Sequence, residues 1–260
     1  MKHIKKLFTC ASVFVLTACS GGLGQKISEE RALEIAANLS NNYVRLASET
    51  KVEYKQTDAQ NGYSIKETGT IRENLNGDIY CSVHQTENNK VKGHYEVYLV
   101  SNELYEEVCY IKDYVYDNSG KAVIKVVVKR NNGNYYLETR KYISRDDTIV
   151  YYDIKEMDCL TDLQDSISFA KREEDLEMSL YSKSSNDLSI KMISHDGGEQ
   201  YYHGTSTMEE VFTYGRYGLT SVTSSEKDSD GSTLSYSQKT KYAQGYNIAL
   251  PNGWQQYLNK

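Results

Sequence analysis

The stretch NGYSIKETGTIRENLNGDIYCSVHQTENN, residues 61–89, sets the fold. Asn-Gly stands at 61–62 and again at 76–77, and Asn88-Asn89 closes the stretch. These residues accept the positive backbone dihedrals of tight hairpin turns. Between the turns run Gly62 to Glu73 and Asp78 to Thr86, both rich in Tyr, Ile, Val and Thr. Cys81 alternates in phase with Ile79 and Val83, the period of two that gives a strand one apolar face. Two runs joined by such turns read as neighbouring antiparallel strands.

The same pattern extends outward. Lys51 to Thr57, Val91 to Ser101, Leu104 to Tyr116, Ala122 to Arg130, Asn134 to Ile143 and Thr148 to Ile154 read as strands. Asn118-Ser119-Gly120 and Asn132-Gly133 supply further turns, and turns recurring every 12 to 16 residues imply a meander of long strands. After an interruption come Leu176 to Lys183, Leu188 to Ser194, Gln200 to Thr207, Val211 to Ser224 and Thr233 to Tyr242. Asp196-Gly197-Gly198 and Asp230-Gly231 mark turns, and Pro251 stops a last edge strand at Gly245 to Leu250.

Two segments change the period from 2 to 3.6. Ile27 to Ala47 reads as an amphipathic helix with the apolar stripe Ala32, Ile35, Ala36, Leu39, Tyr43, Leu46 and Ala47. Ser28 caps it, and Glu29 and Glu30 complement its dipole. Leu160 to Arg172 reads as a second helix, opened by a capping box of Thr161 and Gln164 and striped by Leu160, Leu163, Ile167 and Ala170. The expected fold class is mainly β with two helices (α+β). Its large antiparallel meander sheet, of about twelve strands or more, cannot stay open and flat without curling, and a curved half-barrel is the expected shape. The N-terminal helix and the second helix within the chain are expected to cover it.

Composition bounds the function. The 260 residues hold 30 Lys and Arg against 36 Asp and Glu, a net charge of −6, with no basic block beyond the first six residues. That balance excludes nucleic acid as a partner. One Pro rules out collagen-like and proline-rich classes. The chain has 24 Tyr but only 4 Phe. Tyr either replaces Phe as the aromatic strand former, or pairs such as Tyr135-Tyr136, Tyr151-Tyr152 and Tyr201-Tyr202 present rings as a stacking platform for glycan or peptide.

Lys2, Lys5 and Lys6 form a positive n-region, followed by a ten-residue apolar run from Leu7 to Leu16. A membrane span needs about 20 apolar residues, so this run reads as a signal peptide. It ends in Leu16-Thr17-Ala18-Cys19-Ser20. These residues resemble the lipobox of bacterial lipoproteins. The resemblance implies cleavage between Ala18 and Cys19 and a diacylglyceryl group on Cys19, the mature N-terminus. The expected organisation is a signal peptide at 1–18, a lipidated tether at 19–26 and a single β-rich domain at 27–260. The protein would then sit on the extracytoplasmic side of the cell membrane. Loss of the signal's three Lys moves the charge from −6 to −9.

The order of a helix, a meander, a second helix and further strands is similar to that of the LolA/LppX-like lipoproteins. That resemblance rests on element order across most of the mature chain. It implies a curved sheet wrapped around covering helices, with a lipid or other hydrophobic ligand held between them. The abundance of Tyr departs from an interior suited to acyl chains alone.

No pattern for catalysis, cofactor or metal binding is found. GxSxG, HExxH and Gly-rich phosphate loops are missing from the sequence. Of His84, His94, His195 and His203, only His84 and His94 are placed to approach each other, across a hairpin. Cys81, Cys109 and Cys159 fit no zinc or redox spacing, and their odd number allows at most one disulfide among them; packed thiols are the expectation. Asp228-Ser229-Asp230-Gly231 with Glu226 has the look of a calcium loop, but Ser237 occupies the position of its bidentate Glu, so a hairpin turn explains it. Neighbouring acids such as Glu106/Glu107, Glu173/Glu174/Asp175 and Glu209/Glu210 fall on opposite faces of a strand. Two functions stay open, both non-enzymatic: an envelope lipoprotein that binds a hydrophobic ligand, or a surface scaffold that recognises an envelope protein or glycan through Tyr-rich strands.

Overall fold

The computed structural model describes residues 22–115, 122–129, 163, 167, 176–194 and 206–258. Its strands are β1 (Gln25–Lys26), β2 (Ala47–Asp58), β3 (Tyr63–Glu73), β4 (Ile79–Glu87), β5 (Lys90–Ser101), β6 (Glu107–Val115) and β7 (Ala122–Lys129). Beyond these come β8 (Leu176–Ser182), β9 (Asp187–Ser194), β10 (Ser206–Gly215), β11 (Gly218–Asp228) and β12 (Thr233–Ala243). One helix, α1, spans Glu29–Asn41, and a 3₁₀ turn spans Trp254–Tyr257. All described strands join one antiparallel, curved and unclosed sheet in the order β1-β8-β9-β10-β11-β12-β2-β3-β4-β5-β6-β7.

The meander forms because each hairpin has its turn chemistry. Asn88 and Asn89 both take positive φ, +48° and +62°, the pair of dihedrals a two-residue hairpin needs. Two meanders, β2–β7 and β8–β12, meet where β12 pairs with β2 along eleven residues, Thr233↔Thr57 through Ala243↔Ala47. At the other edge Gln25 and Lys26 pair with Ser182 and Tyr181 of β8. A Cβ at Gly24 would collide with the Ser182 carbonyl, so only Gly lets the chain enter there.

The register assigns every side chain to one of two faces. A row of directly opposed residues runs Leu180–Ile190–Phe212–Val222–Gln238–Val52–Gly69–Val83–Tyr95. This is the helix face, because α1 lays Ala32, Ile35, Ala36 and Leu39 on its β8–β11 end. Ser28 Oγ accepts the Arg31 N–H at 3.3 Å and caps the helix as expected.

Several expectations are corrected. Helix α1 stops at Asn41, not Ala47: Asn42 N–H makes the last i→i−4 bond, to the Asn38 carbonyl, and Tyr43 N–H turns to the Ser40 carbonyl at 3.4 Å. Tyr43 and Leu46 therefore leave the helix, and Ala47 opens β2. Val211 to Ser224 is not one strand but parts of β10 and β11, folded at Arg216-Tyr217 with Gly218 at φ +119°. Gly245 to Leu250 is no strand. Both backbone groups of Tyr246 bond to the Asn74 side chain instead of a ladder, at 2.8 Å each.

The expected second helix, Leu160 to Arg172, is not shown as an element. Only its Leu163 and Ile167 are described; both have helical backbone and are buried in the cluster beneath α1. The remainder lies outside the described residues, as do the strands expected at 134–143 and 148–154 and most of that at 200–207. No helix among the described residues is long and apolar enough to cross a membrane.

Candidate functional site

Two apolar clusters occupy the helix face. The first joins α1 to Leu180, Leu188, Ile190, Phe212, Tyr214, Leu219 and Val222. The second holds Val52, Ile71, Cys81, Val83, Val97, Cys109 and Ile111 of the other meander. Between them, on the β12–β2 seam, the face turns polar. Gln238 is buried at 4% exposure, accepts the Tyr236 hydroxyl at 2.8 Å and donates to Thr240 at 3.4 Å. Thr240 Oγ1 lies 3.1 Å from Thr50 Oγ1 across the seam. One register step away the opposed residues run Glu210–Ser224–Tyr236–Tyr54–Glu67–Gln85. Glu67 is buried and accepts the Gln85 amide at 2.7 Å. Ser224 Oγ is buried with no hydrogen-bond partner among the described residues, although a buried hydroxyl ordinarily finds one. The helix face is thus apolar at both ends, with a polar belt inside it.

The opposite face carries charge. Glu49 meets Arg72 at 2.7 Å, and Glu53 meets Lys55 at 2.6 Å and Lys66 at 2.8 Å. The hydrogen bonds from Lys55 and Lys66 hold the Glu53 carboxyl below its usual range. Between these pairs lies an open groove of about 630 Å³, floored by Thr68, Thr70, Ser82 and Ser237 and flanked by Lys51, Lys239 and Lys241. His84, also on its wall, stacks on His94 with ring centroids 3.8 Å apart, so the two approach as the sequence suggested. Ser82 Oγ lies 3.3 Å from His94 Nε2. Burial, helped by the neighbouring His84, pushes the His94 pKa down.

At the β5–β7 end the opposite face is covered by the chain's own C-terminal segment. Val108, Tyr110 and Trp254 form a third cluster with Tyr98, Tyr105, Ile124, Val126, Leu250 and Tyr257 packed around it. Tyr98 stands edge-on to Tyr110 at 5.9 Å, and Tyr105 to Trp254 at 6.1 Å. Burial raises the Tyr98 hydroxyl pKa to about 12. Here tyrosine serves as packing; the pairs at 135–136, 151–152 and 201–202 lie outside the described residues.

Leu16, Thr17, Ala18 and Cys19 lie outside the described residues, together with Cys159, His195, His203 and the acids at 173–175. Cys81 and Cys109 are buried thiols, not half-cystines. Asp228 to Ser232 forms a hairpin turn: Gly231 N–H donates to the Asp228 carbonyl and Ser232 N–H to Asp230 Oδ1. Glu209 pairs with Lys191 at 2.7 Å on the opposite face while Glu210 faces the helix side, so the two are not a carboxylate pair. No group of three or more metal-ligating side chains is found among the described residues. The polar belt and the groove escaped sequence reasoning, because both are assembled across strands that only the register aligns.

No family model matches the chain, and no curated protein matches it. Among solved structures it is similar to LprF from Mycobacterium bovis, at 10% identity and TM-score 0.39, covering 88% of this chain and 100% of that one. A putative outer membrane lipoprotein-sorting protein domain from Vibrio parahaemolyticus is 11% identical with TM-score 0.28, covering 88% and 98%. A DUF1329 family protein from Desulfovibrio piger is 10% identical with TM-score 0.27, covering 84% and 94%. Function is therefore argued from this chain's own residues.

Proposed function

We propose that the chain is a cell-envelope lipoprotein whose sheet domain, residues 27–260, binds a lipid or similar amphiphile on its helix face without catalysis. The signal 1–18 is removed, Cys19 carries the diacylglyceryl group, and residues 19–26 tether the domain to the extracytoplasmic side of the membrane. The leader residues Leu16-Thr17-Ala18-Cys19 support the anchoring. Two acyl chains give the stable attachment that a single chain does not, at about 0.8 kcal/mol per buried methylene.

The observation that carries the binding reading is the belt Glu210–Ser224–Tyr236–Tyr54–Glu67–Gln85 set between apolar clusters. An apolar interior with a few convergent polar groups fits a molecule having an acyl body and a polar head. Such a belt also explains why tyrosine outnumbers phenylalanine on this face: Tyr54 and Tyr236 pack their rings and bond through their hydroxyls to Gln56 at 2.9 Å and Gln238 at 2.8 Å.

Two measurements test the reading. Metabolic labelling with an alkyne palmitate should mark the wild-type chain and leave Cys19→Ser unmarked; equal labelling sinks the anchor. Native mass spectrometry of the protein purified from its own host should show an adduct that extracts into organic solvent. A bare protein mass would instead favour the scaffold reading, with an envelope protein or glycan as partner.

A further inference from the structure

Lys51 of β2 stands directly opposite Lys239 of β12, and Lys241 opposite Glu49. Directly opposed residues have Cβ atoms about 5 Å apart, and like charges there destabilise a sheet. Glu49 and Glu53 also line the groove, but each is already paired, Glu49 with Arg72 and Glu53 with Lys55 and Lys66. The side-chain ammonium groups of Lys51, Lys239 and Lys241 make no ion pair or hydrogen bond with any described residue, although the Lys241 carbonyl accepts the Tyr246 hydroxyl at 3.2 Å. In a chain of net charge −6, three exposed ammonium groups gather at one groove, and Lys51 and Lys239 face each other there.

We infer that the groove between Lys51 and Lys239 is an anion site for a phosphate ester carried on a polyol. The ammonium groups are point charges suited to phosphate, and an anion between them removes the repulsion they suffer when the groove is empty. Thr70, Ser82 and Ser237 on the floor supply hydroxyl donors and acceptors for the polyol. The open groove, of about 630 Å³, has room for a polyol beside the phosphate. The site lies on the face opposite α1 and is independent of any ligand held beneath the helix.

Isothermal titration of the full chain in zwitterionic detergent at low salt, with glycerol 3-phosphate and with inorganic phosphate, tests the site. Glycerol 3-phosphate should bind at least several-fold more tightly than inorganic phosphate. The double variant K51Q/K239Q should lose at least tenfold in affinity, while its unliganded Tm rises because the repulsion is gone. K227Q, an exposed lysine outside the groove, should bind like the wild type. Competition by phosphatidylglycerol doped into the micelles, but not by phosphatidylcholine, assigns the ester to a lipid head group; absence of competition assigns it to a soluble ester. No binding, equal affinity for the two phosphates, or full affinity in K51Q/K239Q overturns the proposal.

Discussion

The two faces of this sheet are built by the same strands and obey opposite rules. On the helix face, Phe212 and its neighbours are locked in a cluster with α1, and each side chain has its volume fixed by others. One residue away along β10 or β11, the chain points to the opposite face, where Lys, Glu, Ser and Thr form ladders with water on one side. Packing dictates the first face; on the second, Glu49, Glu53 and Glu209 are paired with cations, while Lys51 and Lys239 stand opposed at the groove. A face that is structurally permissive is where a protein can hold uncompensated groups, and those groups point to binding.

The contrast is broken most directly by paired substitutions on one hairpin. Phe212→Ala should cost about 3–5 kcal/mol, while Thr223→Ala, exposed on the opposite face, should stay within about 0.5 kcal/mol. Urea unfolding of both variants checks this; similar losses would mean that the faces are not distinct. Trp254→Ala probes the third cluster, where the C-terminal segment packs on the opposite face. Trp254 lies on Val108 and Tyr110, so about 3 kcal/mol should be lost, with hydrogen-exchange protection falling in β5–β6 before β9–β11. Uniform loss across the sheet would make the C-terminal segment part of the main core.

Gly69→Ala sharpens the comparison inside β3. Its Cβ would sit 2.8 Å from Val52 Cγ2 and 3.2 Å from Val83 Cγ2, on the helix face. Overpacking there should cost about 1–3 kcal/mol, and Val52→Ala in the same chain should recover part of it. Thr70→Ala, next door but facing the groove, should be near neutral. Additive losses in the Gly69/Val52 pair would show that the row is looser than its contacts suggest.

Much of this was legible in residues 61–89, because Asn-Gly and Asn-Asn turns and a period of two are local signals. Helix α1 was legible in Ser28 and its stripe, but its end was not: Tyr43 and Leu46 continue the apolar period, while Tyr43 N–H bonds the Ser40 carbonyl and leaves the α ladder. The β10–β11 hairpin was missed because its turn is Arg216-Tyr217, not Asn-Gly, and Tyr217 gains its place by packing near Tyr242 at 6.1 Å. Gly245 to Leu250 alternates like a strand, yet Asn74 satisfies its backbone from a side chain. The Lys51–Lys239 opposition could not be read at all, since it exists only once β12 closes on β2. Local rules are written in the sequence; register across the β12–β2 seam is a tertiary result.

The smallest effect expected is also the most selective for the opposite face. His94 sits beneath His84 with its pKa below the ordinary 6.5, from burial first and then from His84, against an opposing pull from Glu96, with Lys112 adding a smaller push the same way as His84. The folded protein therefore keeps the ring neutral where the unfolded chain would already take up a proton. Protonation of the unfolded state begins first as the pH falls through about 6.5, so this group's contribution to stability is present above that value and declines below it. Between pH 7.5 and 5.5 the wild-type Tm should fall more than that of His94→Gln, whose side chain retains a polar partner for Ser82. Parallel curves would show that His94 titrates as freely in the fold as out of it, and that the stacked pair is a solvated surface feature and not part of the packed wall of the groove.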